Sequence, residues 1–337
     1  MDNTGIDLSL DRRRLLGASA ALATGGLWSL PLAAQTGKRR VALVIGNGAY
    51  QVGPLANPVR DAQGMAALLR SLGFEVIELR EGTQAQMREA VAATADRLRG
   101  GGATGLFYFA GHGVQLEVRN YLMPVDARAH DGASLRAQSL DVQAVIDAYR
   151  QAATAMNIVV LDACRDNPYG RSAGTTGLAP VDAPPGTFLA YATAPGFVAE
   201  DGAVGTNGLY TGFLLKELSQ RGARIEDVFK RVRLQVRRAS GGRQVPWEST
   251  SLEDDFVFAS GEKVAVETAE RRDVSFEAEK AAWDAIKAST RPEDFYEFLQ
   301  RWPSGRMAEL AQFKLDQIAR PRVVAVAPPG IVQLPSG

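Results

Sequence analysis

A single cysteine, Cys164, and two histidines, His112 and His130, stand in 337 residues. One thiol excludes a disulfide framework within the chain, and so few sulfur and imidazole groups argue against a zinc centre of the Cys/His kind. An excess of either charge is missing too. The 38 Lys and Arg balance 38 Asp and Glu, so no global field draws the chain to nucleic acid or to an anionic membrane. Any charged partner must be recognised locally. Long apolar runs are absent apart from Leu15 to Ala34. What remains is ample core material: 46% of the residues are hydrophobic, enough for one full-sized core with room for a second small domain.

The one apolar run follows Arg12, Arg13 and Arg14 and is broken by Gly25, Gly26 and Pro31. Basic residues ahead of a stretch of small and apolar residues form an export address. Arg-Arg-Arg-Leu-Leu (12–16) resembles the twin-arginine type, with cleavage expected near Ala34. Residues 1–34 are therefore expected to be removed, leaving a periplasmic or secreted protein with no stable membrane span. A retained anchor is the alternative, because about 20 apolar residues can cross a bilayer.

From Arg40 short apolar runs alternate with helical periodicity, which predicts an α/β fold with an open, mostly parallel sheet covered by helices. The expected strands are Val41–Ile45, Glu75–Leu79, Leu106–Ala110, Ile158–Ala163 and Phe188–Ala192, with a last one at Phe256-Val257-Phe258. The expected helices are Val59–Leu72, Gln84–Leu98, Val142–Ala153, Leu209–Leu218 and Ile225–Val236. Asn167–Gly186, rich in Gly, Pro, Ser and Thr, reads as a mobile loop. The main domain spans 39–260. A small helical unit follows over 273–320, with amphipathic segments at Phe276–Ile286, Phe295–Leu299 and Met307–Ile318. Its run Phe295, Phe298, Leu299, Trp302, Pro303, Gly305, Ala308, Ala311 and Leu315 resembles one tetratricopeptide-like element. One such unit cannot bury its own face, so it packs on the main domain, on another chain or on a protein partner. Residues 321–337 read as a disordered tail.

In an open parallel sheet the site lies beyond the carboxyl ends of the strands. Both rare residues belong there: His112 follows Leu106–Ala110 through Gly111, and Cys164 follows Ile158–Ala163. On neighbouring strands, imidazole and thiol would face each other. A thiol attacks carbonyls poorly until a base or an imidazolium holds it as thiolate. Cys164 is thus the candidate nucleophile and His112 its base. The N–H groups of Gly113 and Cys164 are candidates for an oxyanion hole. A buried inert cysteine and a structural histidine are the alternatives, but Asp162, Arg165, Asp166 and Asn167 are too polar for a sealed core.

The segments Val-Ala-Leu-Val-Ile-Gly-Asn (41–47), Phe-Ala-Gly-His-Gly (109–113) and Leu-Asp-Ala-Cys-Arg (161–165) resemble those of the caspases, metacaspases and bacterial orthocaspases, over roughly Arg39 to Phe258. Fifty-two positions separate His112 from Cys164, and caspases place the pair about 50 apart. The resemblance implies a caspase-like fold with helices on both faces of the sheet and a cysteine endopeptidase that needs no cofactor.

Residues two apart on a strand share a face, so Asp162 is expected in the same pocket as Cys164, attracting a basic substrate side chain. By resemblance, this position is Gln in caspases that cleave after aspartate and Asp in metacaspases, which cleave after Arg or Lys. Asp61, in Asn57-Pro-Val-Arg-Asp61, falls where metacaspases line the same pocket with a second acid; alternatively it complements the dipole of its own helix. Tyr191 ends another strand, where an extended substrate could pair with a sheet edge. Trp247 either walls the pocket or fills the core.

No metal is expected. Glu117, Asp126 and Asp131 lack the close clustering of calcium-dependent metacaspases, and hard cations want six to eight oxygens. His130 reads as a surface residue. Arg165 and Arg171, beside the loop, are candidate self-cleavage points or simply solubilising charges. The function expected is cleavage of proteins or peptides after basic residues. A non-catalytic scaffold, and an esterase or amidase using the same pair, are the other readings.

Overall fold

The computed structural model describes residues 38–164, 178–194, 203, 205–260 and 269–319. Contacts divide the chain into Met1–Gly37 and Lys38–Gly337, and every described residue belongs to the second unit. The expected export address, Arg165, Arg171, most of the 167–186 segment and residues 320–337 lie outside the described residues.

Strand β1 (Arg40–Gly46) is buried almost throughout, and its continuous apolar run suits a strand covered on both faces. Parallel β2 (Glu75–Arg80) flanks it on one side and β3 (Thr104–Leu116) on the other. Parallel pairing continues through β6 (Met156–Cys164) to β7 (Thr187–Tyr191). The order is β2-β1-β3-β6-β7-β8, closed by antiparallel β8 (Trp247–Thr250). Short β4 (Arg119–Leu122) and β5 (Leu140–Asp141) pair antiparallel along the far end of β3.

Alternation along the strands sorts two cores. Ala42, Val44, Tyr108, Ile158, Val160, Phe188 and Ala190 pack under helices α1 (Pro58–Ser71), α5 (Leu209–Leu218) and α6 (Ile225–Ala239). Leu43, Ile45, Phe107, Phe109, Val159, Leu161 and Leu189 pack under α2 (Gln84–Leu98) and α4 (Val142–Gln151). Helix α2 starts in a complete capping box, Thr83 with Gln86, and α3 (Gly132–Gln138) repeats the device with Asp131 and Ser134.

Two expectations change. Strand β3 does not stop at Ala110; it continues through His112 to Leu116, because β4 takes over its pairing where β1 ends. Phe256-Val257-Phe258 is no strand: Val257 makes a single isolated bridge to Arg224, and Ala259, just beyond the segment, another to Arg221. Its apolar character serves the core instead. The Arg40 guanidinium donates to the carbonyls of Phe258 (2.8 Å) and Val257 (3.1 Å) and lies over the rings of Phe256 and Phe74. The sheet edge is taken by β8.

The helical unit comprises α7 (Ala269–Ile286), α8 (Pro292–Arg301) and α9 (Ala308–Ala319). Phe295, Phe298, Leu299, Ala311 and Leu315 form a cluster with Leu234 of α6, so the unit packs on the sheet-bearing body. Arg237 pairs with Asp316 (2.6 Å), and Ser304 joins Lys230 to Asp227. Buried Glu279 accepts from the N–H groups of Arg306 and Met307, and a side chain at Gly305 would collide with its carboxylate. That explains the glycine in the repeat-like run.

Tyr149, under the sheet, is fully buried, and burial pushes its phenol far above the ordinary 10.0. The unfolded chain ionises first, so the stability linked to this group is intact below pH 10 and is lost as pH rises beyond it, by ~1.4 kcal/mol per pH unit. Tyr149→Phe is expected to flatten the alkaline fall in Tm between pH 10 and 11 relative to wild type; thermal melts across that range check it.

Candidate active site

Asn47 follows β1 directly and is fully buried. Its N–H donates to Ala110 O (2.9 Å), its Nδ2 to Met123 O (3.1 Å), and its Oδ1 accepts from Gly82 N–H (2.9 Å). One side chain and its backbone thereby tie the tops of β1 and β3, the residue after β4 and the turn before α2. The Tyr50 phenol adds a second tie. It accepts from His112 N–H (3.0 Å) and donates to Met123 O (3.1 Å), while Met123 N–H donates to His112 O (3.0 Å). The phenol thus stands where one rung of an antiparallel ladder would run.

His112 is held between these groups, 3% exposed, with the Tyr50 ring 4.4 Å away. Its Nε2 lies 2.6 Å from Gly53 O. A carbonyl only accepts, so the proton resides on Nε2, and Nδ1 is the nitrogen with the lone pair. Gly111, at φ +152°, has no space for a side chain: a Cβ would meet Tyr50 Oη at 2.5 Å and Asn47 O at 3.0 Å.

Across the β3–β6 ladder His112 pairs with Cys164, the last residue of β6. The Cys164 side chain lies outside the described residues. His112 bonds through its backbone to the β4 side, so alternation turns the Gly113 N–H toward β6. A Cβ at Gly113 would strike Ala163 Cβ at 2.8 Å and Leu178 Cδ2 at 2.9 Å.

Beneath the β6 end lies a polar chain that runs in one direction. The Thr211 hydroxyl donates to Asp162 Oδ2 (2.5 Å), so its oxygen accepts from Tyr108 Oη (2.5 Å). Burial first, then the charges of Asp162 and Asp61, push the Tyr108 phenol well above its ordinary range and keep it a donor. Both carboxylates therefore act on one phenol, on the α1/α5 side of the sheet. Asp61, 3% exposed, accepts from Asn207 Nδ2 (2.8 Å) and Gly208 N–H (3.0 Å). Gly208 caps α5, so Asp61 complements that helix as well as belonging to the first turn of α1.

Other expected residues fall elsewhere. Tyr191 is not at a free edge: β8 pairs with it through Trp247, whose ring is 5.5 Å away, and Tyr191 packs in the α2/α4 core. Trp247 packs partly buried against that core. Glu117 pairs with Arg136 (3.1 Å), Asp126 accepts from Gln84 N–H (3.0 Å) and Asp131 caps α3, three separate structural duties. Hydrogen bonds from Ser134 hold the Asp131 carboxyl below its ordinary range. His130 is exposed.

Sequence reasoning missed Asn47, Tyr50, Gly53, Tyr108 and Thr211. Asn47 and Tyr108 lie inside or beside the motif segments and carried that much signal. Thr211 carried none, because its partners stand 49 and 103 residues away. Gly111→Ala is expected to destabilise the fold by about 1–3 kcal/mol from overpacking, read as a lower urea midpoint with unchanged m-value.

Residues 39–257 match the caspase domain of peptidase family C14. Over 186 residues the chain is 33% identical to the human mucosa-associated lymphoid tissue lymphoma translocation protein 1, covering 55% of this chain and 22% of that protein. The mouse homologue gives 33% over the same length and 21% of its chain. This chain thus spans about a fifth of the length of the curated relatives it matches. Among solved structures, a Geobacter sulfurreducens protein aligns with a TM-score of 0.50 at 19% identity, covering 68% of this chain and 99% of that one, a likeness of fold. The Drosophila initiator caspase Dronc aligns with a TM-score of 0.47 at 14% identity, over 66% and 84%. Through residues 39–257 the chain belongs to the caspase-domain family of cysteine peptidases.

Proposed function

We propose that the chain is a cysteine endopeptidase that cleaves after Arg or Lys, with Cys164 as nucleophile and His112 as general base. The observation that carries this reading is the pairing of His112 with Cys164 at the carboxyl ends of two neighbouring parallel strands. The sulfur attacks the scissile carbonyl carbon, and the thiol proton passes to Nδ1 of His112. The imidazolium so formed is stabilised by its Nε2–H, which donates to Gly53 O at 2.6 Å. Negative charge on the carbonyl oxygen meets the N–H groups of Gly113 and Cys164, each donor of this kind being worth about 10²–10³ in rate. Collapse expels the amine, which takes the proton back from Nδ1. Water, activated by the same nitrogen, then hydrolyses the thioester and frees the thiol.

The basic preference rests on Asp162 and Asp61. The Tyr108–Thr211 chain orients one oxygen of Asp162, and the start of α5 orients Asp61. A guanidinium or ammonium entering between strand ends and α5 would meet two carboxylates held by neutral donors.

Matched peptide reporters ending in Arg, Lys or Asp test the reading against wild type and Cys164→Ala. Turnover after Arg and Lys that disappears in Cys164→Ala is expected. Cleavage after Asp would overturn the pocket assignment, and absence of turnover on amides and esters alike would favour a binding scaffold. Asp162→Asn keeps an acceptor for Thr211 but removes the charge. It is expected to lower kcat/KM for Arg reporters by about 10²-fold or more, with the rate of Cys164 alkylation by iodoacetamide unchanged.

A further inference from the structure

The carbonyl that meets the imidazole belongs to an exposed stretch. Gln51, Val52, Gly53 and Pro54 are all exposed, Val52 by 51%, so packing does not hold Gly53 in place. Hydrogen bonds at the root of the loop do. The N–H groups of Tyr50 (2.8 Å) and Leu55 (2.9 Å) both donate to Gly48 O, folding the segment back on itself. Gly48 is in turn fixed from the other side: its N–H and that of Ala49 both donate to Glu81 Oε2, at 2.9 Å each.

Glu81 sits in the turn between β2 and α2, and its own N–H donates to Gly46 O (2.9 Å). Its backbone is left-handed, φ +51°, a conformation that non-glycine residues adopt at a cost and keep only where the surroundings impose it. A glycine here would relieve the backbone. Glutamate instead brings a carboxylate that accepts from two backbone donors of the loop, and both bonds are charge-assisted.

We propose that Glu81 is a positioning residue for His112: its carboxylate clamps Gly48 and Ala49, the clamp sets the course of the loop, and the loop delivers the Tyr50 phenol and the Gly53 carbonyl to the two sides of the imidazole. The proposal rests on the reading of His112 as the base, and it adds a residue 31 positions upstream that acts through the loop.

The test uses the full chain and three variants, Glu81→Gly, Glu81→Gln and Cys164→Ala. Glu81→Gly removes the carboxylate while easing the backbone, so a purely conformational role leaves activity and stability unharmed. Positioning demands the reverse: kcat for an Arg reporter falls by about 10- to 100-fold with KM within about twofold. Glu81→Gln, which keeps an oxygen acceptor, stays within about threefold of wild type. Because the chain has two histidines, ¹⁵N-histidine labelling yields two pairs of imidazole nitrogen signals, with exposed His130 as internal reference. The His112 Nε2–H signal is expected to broaden or shift in Glu81→Gly and to persist in Glu81→Gln. An unchanged His112 signal together with unchanged kcat in Glu81→Gly overturns the proposal. Should wild type show no turnover lost in Cys164→Ala, the peptidase reading fails separately, and the His112 signal alone decides the role of Glu81: unchanged overturns it, altered upholds it.

Discussion

The parallel ladder between β3 and β6 is the constraint on which the rest depends. It runs in unbroken register from Thr104 paired with Met156 to His112 paired with Cys164. A slip of one residue would exchange the two faces of the strand that moves; for β3 it would carry Tyr108 under α2 and α4 and the Phe107–Phe109 pair under α5. The two apolar cores, one on each face, make that slip prohibitive, since every buried side chain of the shifted strand would change sides at once. The chemistry at the top of the ladder is thus indexed by hydrophobic packing far below it.

Polar groups gather where the ladder runs out. Strand β1 ends at Gly46 and β7 at Tyr191, while β3 continues beyond both, so its backbone needs new partners. Asn47, Tyr50 and Met123 supply them on one side, and β6 serves the other. A buried backbone donor left without a partner costs about 1–3 kcal/mol. The requirement to satisfy β3 therefore brings a phenol, an amide and a loop carbonyl to the position of His112. Beneath Cys164 the same rule acts through Tyr108, Thr211 and Asp162, a chain whose direction is set by the one member that can only accept.

The helical unit shows how a fragment of a repeat becomes part of a larger core. Its cluster closes around Leu234, on the side of α6 away from the sheet, and the Arg237–Asp316 ion pair and the Ser304–Asp227 hydrogen bond flank that contact. Helix α6 therefore has two apolar faces: Val228, Phe229 and Val232 serve the sheet, and Leu234 serves α8 and α9.

Much of this was legible from residue order alone. Apolar runs marked five of the parallel strands and periodicity marked the helices, because burial on one or both faces is written directly in the spacing of hydrophobic residues. The scarcity of Cys and His, and their position after apolar runs, singled out Cys164 and His112. Tertiary structure decided what spacing does not encode. Phe256–Phe258 is apolar enough for a strand but packs as a loop under Arg40, because β8 already occupies the sheet edge. That same edge enclosed Tyr191. Asp61 found its donors at α5, nearly 150 residues away, and Thr211 joined Tyr108 to Asp162 across three elements. Local sequence determined which segments fold and which residues are chemically capable, since periodicity and composition are local properties. Only the assembled sheet decided which hydroxyl, carbonyl or carboxylate stands beside them, because hydrogen-bond partners are chosen by distance in space and leave no pattern along the chain.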